Sequence, residues 1–260
     1  NDPERGWGRA DETWHTHSTL GQLGIENWFQ IGDKDLALHL FRNEQRKKGL
    51  SLTEITQHIA QKFGVNSRIL PMSDDPVQTI IESDIGHLSF QEYFVKHQSE
   101  PCIRNISFNG STEASISPEL KTVIRDNGFK AIIVCPSNPY LSIDPILSIE
   151  EIKSFIESAS IPVVAVSPIV DGKALRGPAA KIMHEMDIPV SVKSIAEHYH
   201  PLIDGLVIDH KDKIISSEIQ SMGIEVQVTN TVMNHDSDKI QLAQDVVEFS
   251  QMISVKKDSL

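Results

Sequence analysis

The segment Gly172-Lys173-Ala174-Leu175-Arg176-Gly177-Pro178-Ala179-Ala180-Lys181 places two glycines, a proline and three cations between a strand-like run and a helix-like run. A tight turn opening a helix leaves amide N–H groups unpaired, which favours a phosphate. Lys173, Arg176 and Lys181 add positive charge. The spelling departs from the G-x-x-x-x-G-K-[ST] phosphate loop, so an ordinary strand-to-helix turn with solvated cations is the plain alternative. Pro136-Ser137-Asn138-Pro139 follows another apolar run. Its flanking prolines make a rigid loop that can offer the Asn138 amide to a base or phosphate, or let Asn138 cap a helix. Gly32-Asp33-Lys34-Asp35 stands at a helix start. Acids there complement the helix dipole, whereas Lys34 opposes it and points to an acceptor on a ligand. Ser73-Asp74-Asp75-Pro76 carries paired carboxylates that can hold a divalent cation or a hydroxylated substrate, or simply form a turn. The eleven histidines do not spell a zinc site: His15 and His17, like His198 and His200, lie two apart rather than at helical i, i+4 spacing. They are expected on the surface or in packing. Neither a G-x-S-x-G elbow nor a G-x-G-x-x-G fingerprint is present.

These residues need a scaffold, and the chain shows two regimes. Up to about residue 125, helices are expected over Asp11–Gly24, over Lys34–Lys48 with Leu36, Leu40 and Phe41 on one face, and after the capping-box spelling Ser51-Leu52-Thr53-Glu54. A strand is expected over Val65–Leu70, a hairpin over Thr79–Glu82 and His87–Phe90, and a further strand over Ile103–Phe108. From Ser117, the order Ser-Pro-Glu starts a helix. Four Val- and Ile-rich runs then alternate with helices: Ala131–Cys135, Pro162–Val166, Leu206–Asp209 and Glu225–Val228. The intervening helices are expected over Glu150–Ser158, Ala179–Met186, Ser194–His200, Ile214–Met222 and Lys239–Met252. Such runs indicate central parallel strands covered on both faces, an α/β, doubly wound, mostly parallel sheet of Rossmann-like type. Ligands bind such sheets beyond the strands' carboxyl ends, near Ser137, Asn138, Ser167 and Pro168. Residues 1–125 are expected to form a mostly helical cap with a small hairpin, and residues 126–260 the parallel region.

The chain has 260 residues, 24 Lys+Arg against 36 Asp+Glu, and a formal net charge of -12. That balance argues against nucleic-acid binding, which needs a basic face, and against a polybasic membrane anchor. One local pocket can still oppose the global sign and take an anion. Cys102 and Cys135 are the two cysteines, too few for a disulfide scaffold or a cysteine zinc site. A cytoplasmic location is expected, with neither a membrane span nor a signal peptide in the sequence. Asn1-Asp2-Pro3-Glu4-Arg5-Gly6-Trp7-Gly8 has the character of an interior loop.

Several segments occur in one order: Trp7-Gly8, Trp28-Phe29-Gln30-Ile31-Gly32-Asp33-Lys34-Asp35-Leu36-Ala37, Leu70-Pro71-Met72-Ser73-Asp74-Asp75-Pro76-Val77 and Phe90-Gln91-Glu92-Tyr93-Phe94-Val95. Cys135-Pro136-Ser137-Asn138-Pro139, Ser142-Ile143-Asp144-Pro145-Ile146-Leu147, Val163-Val164-Ala165-Val166-Ser167-Pro168-Ile169-Val170, Gly177-Pro178-Ala179-Ala180-Lys181 and Asn230-Thr231-Val232-Met233 follow. Across essentially its whole length the chain resembles the 2-phospho-L-lactate transferase family of coenzyme F(420) biosynthesis.

The resemblance implies a metal-dependent transferase reaction. A donor, lactyl-2-diphospho-5'-guanosine, carries the phospholactyl group. The terminal ribityl hydroxyl of the deazaflavin FO attacks the phosphorus next to the lactyl group, and GMP leaves. Magnesium would neutralise the diphosphate. Such catalysis is mainly positioning and charge stabilisation, so no catalytic residue is assigned. The family's Gly-Asp-Arg-Asp motif falls on Asp33, Lys34 and Asp35, which are expected at FO. Ser137, Asn138, Ser167, Pro168, Gly177 and Lys181 are expected at the nucleotide. The family also implies a homodimer. Its G-G-T-G-G-x-K loop, Asn-Thr-Ala-Asp-Asp segment and Pro-Asp-Leu-Asp-Thr stretch are absent, so its metal carboxylates are expected upstream of Asn1 and none in this chain. The expectation is a family member without its first part, inactive as it stands. Two other readings stay open: the same chemistry with a phosphoenolpyruvyl or 3-phosphoglyceryl donor, and a non-catalytic regulator that binds nucleotide sugars.

Overall fold

A computed structural model describes residues 8–126 and 128–257; Trp7 lies outside them. Three helices come first: α1 (His15–Gln22), α2 (Asp33–Lys47) and α3 (Leu52–Lys62). At the start of α3 the Ser51 hydroxyl accepts from the Glu54 amide, and the Glu54 carboxylate accepts from the Ser51 amide. This reciprocal box satisfies two of the donors that a helix start leaves open. On α2 the expected apolar face is corrected at Leu40, which is 61% exposed. Phe41 turns toward α3, where its ring lies 5.3 Å from that of His58, and Leu38 faces the same groove. Leu40 is two residues on from Leu38, about 200° around the helix, and so points away. The expected strand at Val65–Leu70 is not formed. No neighbouring strand pairs with it among the described residues, and Val65 and Ile69 are 41% and 47% exposed. Extended chain without a ladder partner is not a strand.

β1 (Gln78–Ser83) and β2 (Gly86–Ser89) form the expected hairpin, with Ser83 opposite Gly86. A five-residue π-helix follows (Glu92–Lys96), and then β3 (Ile103–Asn109), which pairs antiparallel with the other side of β1. The first region therefore holds a three-stranded antiparallel sheet, order β2-β1-β3, beside its helices. α4 (Pro118–Arg125) starts as expected, with Pro118 in its first turn and the Ser117 hydroxyl accepting from the Leu120 amide.

The rest is the alternating core: β4 (Ile132–Val134), a second π-helix (Pro139–Ile143), α5 (Asp144–Leu147), α6 (Glu150–Glu157) and β5 (Val163–Val166). A short ribbon of β6 (Ile169–Val170) and β7 (Lys173–Ala174) leads to α7 (Ala179–Glu185), α8 (Val192–Tyr199) and β8 (Gly205–Asp209). A 3-10 turn (His210–Ile215), α9 (Ser216–Gln220), β9 (Glu225–Thr229) and α10 (Asp236–Lys257) complete it. The single helix expected over Ile214–Met222 is thus a 3-10 turn joined to α9.

β4, β5, β8 and β9 pair in parallel in that order. This is the α/β, Rossmann-like, doubly wound architecture expected, with helices on both faces. Strand periodicity divides the side chains. Val163, Ala165, Leu206 and Ile208 join the larger core with α7 and α8. Val164, Val166 and Val207 meet Leu242, Val246, Phe249 and Ile253 of α10. Gly205 allows α10 this close, since a Cβ there would lie 2.6 Å from Ile253 Cδ1 and 2.7 Å from Phe249 Cε1. One expectation is corrected: only β5 and β8 are inner strands of the described sheet. β4 is an outer strand with Ile133 37% exposed, and β9 is only partly buried. No described helix is long and apolar enough to cross a membrane.

Candidate functional site

A cavity of about 760 Å³ opens beyond the carboxyl ends of β4, β5 and β9. Ser137, Asn138, Ser167, Pro168 and Gly177 all line it. Ser137 and Asn138 follow β4, Ser167 and Pro168 follow β5, and Gly177 stands in the turn between the β6–β7 ribbon and α7. Asn138 caps the second π-helix: its Oδ1 accepts from the Tyr140 amide at 3.0 Å and the Leu141 amide at 3.1 Å. Those two donors fix which end of the amide carries oxygen. Its Nδ2 is buried with no hydrogen-bond partner among the described residues. The Ser167 hydroxyl turns inward, donating to the Ile169 carbonyl at 2.9 Å and accepting from the Ile169 amide at 3.1 Å. Ser167 therefore shapes the bend that carries Pro168. Gly177 takes a φ of +70° in the turn before α7, a conformation that suits a residue without a Cβ.

Lys181 does not line this cavity. Its ammonium donates to the Pro101 carbonyl at 2.8 Å and to the Glu185 carboxylate. Arg176 is exposed at the cavity wall and pairs with no carboxylate among the described residues. Phe90 and Phe94 also line it, stacked with ring centroids 5.5 Å apart. Thr231 lines it too, its amide donating to the Asp209 carboxylate at 3.0 Å. Asp209 and Asp212 are buried at the end of β8, and burial pushes the Asp212 carboxyl up from its ordinary range. Single-residue chemistry does not single out Phe90, Phe94 and Thr231. The only sequence signal for them was their place within the ordered family segments.

Asp33, Lys34 and Asp35 lie elsewhere, at the start of α2. The Asp33 carboxylate accepts from the Thr13 hydroxyl at 2.6 Å and from the amides of His15 and Thr16, each at 3.0 Å. It thereby caps α1. The Glu12 carboxylate accepts from the Lys34 amide at 2.8 Å and the Asp35 amide at 3.3 Å, capping α2 in return. A Cβ on Gly32 would fall 2.0 Å from the Glu12 side chain. The Lys34 ammonium donates to the Ala10 carbonyl at 2.7 Å, a partner for the cation that the helix dipole disfavours. The Thr13 hydroxyl, followed by the amides, holds the Asp33 carboxyl far below its usual range. Desolvation raises Glu12, but the amide hydrogen bonds outweigh it and its pKa falls.

Asp35 lines a second cavity, of about 820 Å³, with Trp28, Phe29, Leu38, Ile59 and Phe63. This one is mainly apolar and aromatic, suited to a flat ring system. Lys34 lines a shallower groove with Phe41, His58 and Phe63. The first π-helix stands between the two large cavities, Phe94 lining one and Val95 the other.

Asp74 and Asp75 serve the chain itself. Asp74 accepts from the Thr53 amide at 2.7 Å, and Asp75 from the Ser115 amide at 2.9 Å. His17 meets the Asn27 carbonyl at 2.8 Å, and His198 meets Asp144 at 2.8 Å.

Comparison with known proteins places the chain. The family described as 2-phospho-L-lactate transferase CofD matches residues 9–251. The 2-phospho-L-lactate transferase of Methanosarcina mazei is 35% identical over 247 residues, covering 95% of this chain and 80% of that protein. The protein of the same description in Methanocaldococcus jannaschii is 36% identical over 250 residues, covering 95% and 78%. A phosphoenolpyruvate transferase of Mycobacterium leprae is 36% identical over 205 residues, covering 76% and 61%. Among solved structures, a UPF0052-family protein of Bacillus halodurans superposes with a TM-score of 0.56 at 14% identity, covering 82% of this chain and 71% of that one. That likeness concerns the fold. With the family match spanning most of the chain and relatives above 30% identity over nearly all of it, the chain belongs to the 2-phospho-L-lactate transferase family.

Proposed function

We propose that the protein transfers a 2-phospho-L-lactyl group from lactyl-2-diphospho-5'-guanosine to the deazaflavin FO, releasing GMP, in coenzyme F(420) biosynthesis. The observation that carries this reading is the convergence of Ser137, Asn138, Ser167, Pro168 and Gly177 on one cavity at the sheet's carboxyl rim. The guanosine diphosphate part of the donor occupies that cavity. The Asn138 amide donates to it, and Arg176 faces its negative charge. The deazaflavin occupies the aromatic cavity, with Asp35 as the motif residue that reaches it. Asp33 and Lys34 act there by fixing the start of α2. The ribityl hydroxyl attacks the phosphorus beside the lactyl group, its proton leaves to solvent, and the bond to the GMP phosphate breaks. Placement and a cation beside the developing charge supply the catalysis.

Among the described residues no three His, Cys, Asp or Glu side chains gather as a metal site. No step is assigned to the metal here. The proposed assembly is a homodimer, and sedimentation at micromolar concentration tests it, a monomer counting against it.

The Mycobacterium leprae relative, named for phosphoenolpyruvate at 36% identity, supports a second reading, the same transfer with a phosphoenolpyruvyl donor. Turnover with FO and each of the lactyl, enolpyruvyl and 3-phosphoglyceryl donors separates the readings by the rate of GMP release. Binding of nucleotide sugars without turnover of any donor, by a protein that also carries the family's glycine-rich and carboxylate-bearing segments, would instead fit a regulator.

A further inference from the structure

We infer that Lys181 and Glu185 form a clamp that sets the width of the rim cavity without touching its ligand, an inference that rests on the nucleotide reading above. The Lys181 ammonium binds the Pro101 carbonyl and the Glu185 carboxylate. The other Glu185 oxygen accepts from the Ile103 amide at 3.0 Å. The two side chains are 34% and 13% exposed, so water screens the pair only partly. The same ammonium sits 5.8 Å from the centroid of the Tyr93 ring, which is fully buried. Glu185 shares α7 with Lys181, while Tyr93, Pro101 and Ile103 belong to the segment from the first π-helix to β3.

The chain around Tyr93 and the turn into α7 both line one cavity. Phe90 and Phe94 stand just before and just after Tyr93's anchor, while Gly177, Pro178 and Ala179 lead into the helix that bears Lys181. Between Tyr93 and Pro101 the chain passes through Gln98 and Ser99, both left-handed with φ of 50° and 61°. Non-glycine residues occupy that region at a cost and persist there only when their surroundings hold them. The Ser99 amide donates to the Tyr93 carbonyl at 2.8 Å, and Lys181 secures Pro101 two residues further on. Lys181 is therefore a positioning residue: it ties the aromatic wall to the Gly177 turn.

The test compares wild type, Lys181→Met, Lys181→Arg, Glu185→Ala and the Lys181→Met/Glu185→Ala double variant. Calorimetry measures GDP and guanosine binding, and a melting curve establishes that each variant is folded. The clamp requires Lys181→Met and Glu185→Ala each to weaken GDP and guanosine alike, by about tenfold, the scale of coupling carried through packed contacts. The double variant should be no worse than either single one, and Lys181→Arg should restore near-normal binding. A lysine that contacts phosphate gives a different pattern: Lys181→Met weakens GDP but not guanosine, and Glu185→Ala leaves GDP unchanged or tighter. That pattern overturns the clamp, as does unchanged affinity in folded variants. Hydrogen exchange at the amides of Ser99, Glu100, Cys102 and Ile103 reads the clamp without any ligand. It should quicken in Lys181→Met and in the milder Glu185→Gln, and unchanged exchange also overturns the proposal. Failure of wild type to bind GDP, with exchange behaving as expected, overturns the nucleotide reading instead.

Discussion

Replacing Asn138 by Ala and by Asp separates the two jobs assigned to one side chain. Its Oδ1 caps the π-helix through the Tyr140 and Leu141 amides, and its Nδ2 has no partner among the described residues on a cavity-lining residue. Asn138→Ala removes the acceptor and leaves two amides unsatisfied, which costs about 1–2 kcal/mol of folding stability on the scale of lost helix caps. Asn138→Asp keeps an oxygen for both amides and adds charge where a helix start favours it, against the cost of a second oxygen in the buried place of Nδ2, so it should destabilise the fold less than Asn138→Ala. In the cavity, however, Asp replaces a donor by an acceptor. Losing a hydrogen bond to a charged ligand costs about 1.5–3 kcal/mol, or about 10- to 150-fold in Kd for GDP. Urea unfolding gives the first quantity and calorimetric GDP titration the second. The reasoning is refuted if Asn138→Asp binds GDP as wild type does, or if Asp and Ala destabilise the fold equally.

Further outcomes follow from particular contacts. Gly32→Ala should lower the unfolding midpoint by displacing the Glu12 carboxylate from the start of α2, with GDP titration unaffected. The Asp33 carboxyl has a depressed folded pKa, so its contribution is present above its unfolded value of about 3.9 and is lost as pH falls through and below it. Melts from neutral pH down to about 3 should therefore fall less steeply in Asp33→Asn, and identical pH slopes would contradict this. Tyr140 is 4% exposed and its hydroxyl has no hydrogen-bond partner among the described residues, so Tyr140→Phe should leave stability within about 1 kcal/mol of wild type or raise it. Phe249 joins α10 to the sheet, and Phe249→Ala should cost about 3–5 kcal/mol in denaturant unfolding.

The alternating core was legible because periodicity and termination agree along it. Pro162–Val166 and Leu206–Asp209 are apolar at every position or nearly so, and the structure buries them on both faces as β5 and β8. The same composition at Ala131–Cys135 did not reveal an outer strand, because position in a sheet depends on partners far away in sequence. Val65–Leu70 has the residues of a strand but no ladder beside it. At the site, the loops after β4 and β5 were legible through Pro, Ser and Asn at strand ends. Lys181 shows what was not. Its spacing placed it at a glycine turn, yet the direction of its side chain was decided by Pro101 and Glu185, one of them 80 residues away.

The paired caps of α1 and α2 carry a consequence for motion. Each helix start is completed by a carboxylate from the other's approach: Asp33 serves α1, and Glu12 serves α2. α1 has eight residues and buries none of them, well short of the length at which an isolated helix persists in water. Neither end can fray alone, because releasing one carboxylate's amides loosens the segment that supplies the other. Residues 12–35 should thus breathe as one foldon rather than as two. The linker inside that unit holds Trp28 and Phe29, two aromatic walls of the larger cavity. A single opening event at a pair of acidic latches would unroof it.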